Sequence, residues 1–137
     1  YNRCNGVDKR GMCVIVLNID FNSEEAIYMQ LRNQIVVGIA SSQLCMGDSL
    51  PSVRQLAETV GINMHTVNKA YTLLRQEGYV KLDRRRGAVV AVNVNREETR
   101  QKLLQDLHVL LAGAMCKGIS REEVHQLIDC IYDYYEG

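Results

Sequence analysis

The sequence predicts a mainly helical α+β chain: a winged helix-turn-helix domain followed by a short two-helix tail. Three observations carry this. Apolar residues recur at helical spacing in three successive segments before Gly78. Only "GIN" (61–63) separates the second segment from the third, the short link that a helix-turn-helix needs. Two β-branched runs then flank "DRRRG" (83–87) as a hairpin would.

Taken in order, "VIVLNI" (14–19) is apolar and β-branched and reads as a short strand or extended arm. Asn22 or Ser23 is placed to cap the first helix, with Glu24 and Glu25 in its first turn, where the helix dipole favours negative charge. Ile27, Leu31, Ile35 and Ile39 share one face, so this helix is expected at about 24–41. "MGDSLP" breaks the pattern. Ser52 with Gln55 forms a capping box for the second helix, whose apolar side is Val53, Leu56, Ala57 and Val60 and whose stop is Gly61. Asn63 caps the third, with Val67, Ala70, Tyr71 and Leu74 as its buried stripe and Gly78 as its end. "YVKL" (79–82) and "AVVAV" (88–92) are the expected wing strands.

The pattern changes near Glu97. Leu103, Leu107, Leu110 and Ala114 are spaced as along a coiled-coil seam, with Leu104 and Leu111 beside them. "KGIS" interrupts, Ser120 and Glu123 form another capping box, and Val124, Leu127, Ile128, Ile131 and Tyr135 line a last helix. Two short helices cannot cover such stripes alone. A second copy of the chain would cover them, making these residues the candidate dimerisation surface; the other reading is that the tail packs back on its own head. The expected division is therefore an N-terminal arm at 1–12, a winged helix-turn-helix at 13–93 and a helical dimerisation region at 94–137.

Composition narrows the function classes. No apolar run approaches the ~18 residues of a membrane span, so a membrane partner is not expected. The net charge is zero, yet residues 52–87 carry +4 and residues 96–137 carry −3, which points to an anionic partner for the middle segment. Five cysteines without a CxxC pair fit reduced thiols in a cytoplasm better than a disulfide framework. No cofactor motif or catalytic constellation stands out, so an enzyme is not expected. His108, Cys116, His125 and Cys130 lack metal-ligand spacing, and buried structural cysteine is favoured over a metal site or a thiol-responsive stress switch. Tyr132, Tyr134 and Tyr135 fit an interface seal better than a pocket for a small-molecule effector.

The run "LPSVRQLAETVGINMHTVNKAYTLLRQEGYV" (50–80), with the preceding "IYMQLRNQIVVGI", resembles the DNA-binding domain of the GntR family of bacterial transcription regulators. The likeness covers roughly residues 24–92, and the two-helix tail is similar to that of the YtrA subfamily, where this region serves dimerisation. The resemblance implies a homodimeric regulator, chiefly a repressor, that binds double-stranded DNA at an inverted-repeat operator and controls its own operon and transporter genes. It places DNA contacts on Arg54, on Asn63, Met64, His65, Thr66 and Asn68, and at the wing tip around Arg86 and Gly87. Many members have an arginine where this chain has Met64, and their wing is usually glycine-rich where this one is arginine-rich.

The residues themselves support that assignment. A recognition helix enters the major groove by its N-terminus, and the first turn here offers Asn63, His65, Thr66 and Asn68, each able to donate or accept hydrogen bonds to base edges. Asn63 has a second reading as a cap only. Arg54 lies in a first turn where the dipole disfavours a cation, a penalty that a phosphate would reverse. Arg84, Arg85 and Arg86 face one Asp83 and suit the DNA backbone or minor groove. Ser52 and Lys69, beside these groups, complete the candidate set. A rival role is a protein-interaction module whose basic wing binds an acidic partner.

Overall fold

The structure, a computed structural model, describes residues 17–136. Its elements are α1 (Ile27–Ala40), α2 (Val53–Val60), α3 (Met64–Gln76), β1 (Val80–Asp83), β2 (Gly87–Val90), α4 (Arg96–Cys116) and α5 (Arg121–Glu136). The chain divides into two compact units between Asn93 and Val94.

In the first unit the three predicted stripes converge. Leu31 and Ile35 of α1, Leu56 and Ala57 of α2, and Val67, Ala70, Tyr71 and Leu74 of α3 are buried, closed below by Val80 and Val90 of the hairpin. Ser52 caps α2 by the reciprocal pair with Gln55. Gly61 ends α2 at φ 78°, a conformation that costs other residues a steric clash, and its N–H bonds to Ala57 carbonyl oxygen. The Asn63 side chain then accepts from His65 N–H at 2.7 Å and starts α3 at once. The Tyr71 hydroxyl, in a site where burial raises its pKa strongly, donates to Pro51 carbonyl oxygen at 2.7 Å and ties α3 to the entry of α2.

Helix α1 begins at Ile27, three residues later than the stripe and caps predict, with Ala26 at its N-cap and no side-chain cap. Local hydrogen bonds explain the difference. Asp20 Oδ1 accepts from Asn22 N–H and Ser23 Oγ from Glu25 N–H, which folds 20–25 into turns before any helix can start. Glu24 and Glu25 thus precede the helix instead of forming its first turn. Of the strand expected at 14–19, residues 14–16 lie outside the described residues, and 17–19 carry no regular structure. Leu17 and Ile19 pack on the core, while the backbone of Asn18 and Asp20 pairs with the side-chain amides of Gln34 and Gln30 in place of a strand partner.

The wing strands pair antiparallel, with Asp83 opposite Gly87 and Val80 opposite Val90. The first is shifted by one residue from the expected run; the second starts one residue early and ends two early. Backbone bonds continue the pairing past the strands, from Ala91 N–H to Tyr79 and from Asn93 N–H to Gly78. Residues 47–50, a plain break in the sequence pattern, lie along the outer edge of β2: Gly47 N–H and Val90 N–H bond to Val90 and Asp48 carbonyls, and Leu50 N–H to Ala88. The loop thereby covers a sheet edge that would otherwise be open.

In the second unit, Asn95 caps α4 and Ser120 forms the predicted capping box with Glu123 for α5. Neither helix buries a single residue. Cys116 and Cys130 are free and exposed, contrary to the expectation of buried thiols, because α4 and α5 enclose no core. Among the described residues no helix is long and apolar enough to cross a membrane.

Among the described residues of the first unit Gln30 is the buried polar side chain, and its amide satisfies Asp20 N–H, Asp20 carbonyl and Glu25 carbonyl together. Leucine there keeps the volume and orphans all three groups. Gln30→Leu is expected to lower stability by about 1–3 kcal/mol in urea unfolding, more than Gln34→Leu, whose bonds to Asn18 are exposed.

Candidate nucleic-acid interface

The geometry of α3 follows from its burial. Val67, Ala70, Tyr71 and Leu74 take one face into the core, which turns His65 and Asn68 outward, while Met64 stands on the stripe's own side at the very start of the helix and stays exposed there. All three are exposed, as is Asn63. Thr66 is half-buried, with its N–H bonded to Asn63 carbonyl oxygen. The leading end of α3 is therefore open, with His65 and Asn68 one helical turn apart beside an exposed methionine (Met64, 50% exposed). Asn63 is a cap, since its Oδ1 is spent on His65 N–H; its amide nitrogen is the part left to bond outward.

Lys69 is exposed but directs its ammonium onto the Tyr28 ring of α1, 4.0 Å from the centroid. That cation–π contact holds its charge at the α1 side of α3. Arg75 is exposed near the far end of α3, away from the leading turn. On α2, Ser52 is committed to its capping box, while Arg54 is 78% exposed and 3.5 Å from the Glu58 carboxylate. An exposed i,i+4 pair of this kind is worth little, so the guanidinium is free to exchange partners.

The wing tip is a three-residue loop, Arg84–Arg86, closed by Gly87 at φ 74°. Asp83 organises it: one carboxylate oxygen accepts from Arg85 N–H at 2.8 Å and Arg86 N–H at 3.0 Å. Those two bonds hold the Asp83 carboxyl below the usual range for aspartate. Arg84 and Arg85 turn exposed side chains outward. Arg86 differs. Its Nε donates to Ser49 Oγ at 3.1 Å and its Nη2 to Gly47 carbonyl oxygen, both in the loop along β2. Sequence groups Arg86 with its two neighbours and gives no sign of Ser49 and Gly47, which lie 37 and 39 residues away, beyond any local signal.

Arg54, the leading turn of α3 and the wing tip all belong to the first unit, and their charge is positive where the sequence asymmetry places it. Exposed amide, imidazole and thioether groups on one helix end, with arginines flanking, suit a groove with phosphates on both sides. Among the described residues no group of three or more His, Cys, Asp or Glu is gathered to hold a metal ion. In the second unit Leu103, Leu104, Leu110, Leu127, Ile128 and Ile131 are exposed, and Leu107, Leu111, Ala114 and Tyr135 are half-buried.

Comparison with known proteins gives the family and the fold. The family model described as bacterial regulatory proteins, gntR family, matches residues 23–90. The HTH-type transcriptional repressor YtrA of Bacillus subtilis is 32% identical over 116 residues, which cover 82% of this chain and 89% of the relative. YtrA from Sulfolobus acidocaldarius, a GntR-family transcription factor, is 41% identical with a TM-score of 0.57, over 68% of this chain and 98% of that one. A transcriptional antiterminator from Listeria monocytogenes EGD-e superposes with a TM-score of 0.79 at 23% identity, over 89% and 93% of the two chains, a likeness of fold alone.

The depressed pKa of Asp83 fixes the sign of a pH effect on the wing. A carboxyl with a lower pKa in the folded state contributes fully above its unfolded value, ~4, and loses that contribution as pH falls through the folded one. Amide exchange at Arg85 and Arg86 is therefore expected to speed up on acidification relative to the hairpin base, and Asp83→Asn should give faster exchange already at neutral pH. Equal behaviour of wild type and variant across this range would contradict the turn's dependence on the carboxylate.

Proposed function

The chain belongs to the gntR family of bacterial regulatory proteins, in its YtrA-like subfamily, and we propose that it acts as a homodimeric repressor on an inverted-repeat operator. Its class, a DNA-binding transcription regulator and not an enzyme, is that of the family. The observation that carries the finer reading is the open leading end of α3, with His65 and Asn68 turned away from the core and Met64 exposed beside them.

In this reading residues 13–93 bind DNA and residues 94–137 pair two copies. The α3 end enters the major groove, where Asn68 and the free amide nitrogen of Asn63 meet base edges, His65 bonds beside them, and Thr66 lines the helix start. Met64, apolar where many relatives carry arginine, suits the methyl group of a thymine. Arg54 answers a phosphate or a guanine, and Arg84 and Arg85 reach the backbone or minor groove alongside the wing. Ser52, Lys69 and Gly87 shape these elements more than they touch bases.

One head offers two or three base contacts, each worth ~1–3 kcal/mol of discrimination, too little to select a site in a genome. The exposed leucines and isoleucines of α4 and α5 favour a second copy as their cover, since apolar patches of that extent mark interaction surfaces. Two heads related by a two-fold axis then match an inverted repeat. Repression is supported by the repressor that the chain resembles over most of its length. Action in the cytoplasm, on its own operon and transporter genes, with release by an effector that changes the spacing of the heads, completes the proposal.

Selection of bound sites from random duplex should return an inverted repeat, and Arg54→Ala should lower affinity for it at least tenfold, ~1.4 kcal/mol, while sedimentation still finds a dimer. A selected site without dyad symmetry, or a dimer with unchanged affinity, would count against this docking.

A further inference from the structure

The three adjacent arginines of the wing do not share one role. We propose that Arg86 is a positioning residue, a brace that fixes the wing to the loop ahead of α2, and that Arg84 and Arg85 alone carry the wing's charge to DNA. Only the second half of this rests on the DNA-binding reading given above; the brace itself is a property of the free protein.

The two arms of the Arg86 fork close on the same short segment. Nε donates to Ser49 Oγ at 3.1 Å and Nη2 to the Gly47 carbonyl, so the planar guanidinium spans two acceptors two residues apart. That segment is already hydrogen-bonded along β2 through Gly47, Asp48 and Leu50, and it runs directly through Pro51 into the Ser52 cap of α2. Below it, the Tyr71 hydroxyl holds Pro51 from α3. The brace is thus the outermost link in a chain of bonds from the wing tip to the starts of α2 and α3. At the turn itself, Asp83 accepts from the backbone N–H of Arg85 and Arg86, which sets the point from which the Arg86 side chain departs.

A guanidinium bonded to neutral acceptors keeps its charge, so exposure alone does not separate a brace from a phosphate ligand. Chemistry does. A phosphate is satisfied by lysine's point charge; two acceptors held by a planar fork are not. Salt dependence reads the same distinction, because removing one phosphate-binding cation lowers the slope of log affinity against log salt by about one.

The test has a DNA-free arm and a DNA arm, both with the full chain. Without DNA, Arg86→Ala and Arg86→Lys should each raise amide exchange at Leu50 and Val90 several-fold, and Ser49→Ala should do so to a lesser degree. With the selected duplex, Arg86→Ala should weaken binding roughly tenfold with an unchanged salt slope, and Arg86→Lys should stay similarly weak. Arg84→Ala and Arg85→Ala should each lower the slope by about one and leave exchange at Leu50 and Val90 as it was. Unchanged exchange in the Arg86 variants overturns the brace, as does a lysine variant that restores wild-type affinity, or a slope reduced by Arg86→Ala. If wild-type protein selects no duplex, the DNA-binding reading fails instead, and the exchange arm still decides the brace.

Discussion

Burial of one face of α3 is the constraint on which the rest depends. Val67, Ala70, Tyr71 and Leu74 meet α1, α2 and the hairpin in a core with almost no exposed surface, and the helix cannot rotate without breaking that packing. Rotation fixed in this way decides which side chains are offered outward. His65 and Asn68 are outward because they are out of phase with the stripe, Met64 is exposed as the first residue of the helix, and the Asn63 cap and Gly61 turn fix where the helix begins. The candidate interface is the remainder left by the packing.

The same core aligns the flanking parts. Tyr71 reaches Pro51, Pro51 leads into the Ser52 cap, and Arg54 follows in the first turn, so the position of α2's leading end is tied to α3. The loop before it bonds along the edge of β2 through an isolated bridge and receives Arg86 from the wing tip. The three parts of the candidate interface are thereby held by one hydrogen-bonded frame. Rigid placement of this kind limits the ordering cost on binding. The second unit has the opposite character. It carries apolar stripes and buries none of their residues, which is the observation behind the proposed second copy.

Features with local causes are legible in the sequence. Helical spacing places the buried stripes of all three head helices, and reciprocal caps at Ser52 and Ser120 give two helix starts to the residue. The glycine stop at Gly61 and the three-residue link are equally plain. The start of α1 is not legible: Asn22, Ser23, Glu24 and Glu25 make a good helix entry in isolation, yet Asp20 and Gln30 bind that stretch into turns. Arg86 looks like Arg84 and Arg85 because adjacency in sequence says nothing about a partner in the 47–49 loop. The Lys69 contact with Tyr28 and the bridge that a turn-like segment makes to β2 are hidden for the same reason: each is a long-range pairing between residues that look unremarkable where they stand. Expected burial of Cys116 and Cys130 fails because nearness to an apolar stripe buries a residue only when something covers the stripe.

Entry of the leading end of α3 into a DNA groove is tested most directly by backbone amide shifts, followed by NMR during titration with the selected duplex. The largest changes should cluster at Met64–Asn68, with smaller ones at Arg54, Arg84 and Arg85, and none at the buried face of α3 beyond Leu74. Changes confined to α4, α5 or the surface of α1, with Met64–Asn68 unmoved in the bound state, would contradict it.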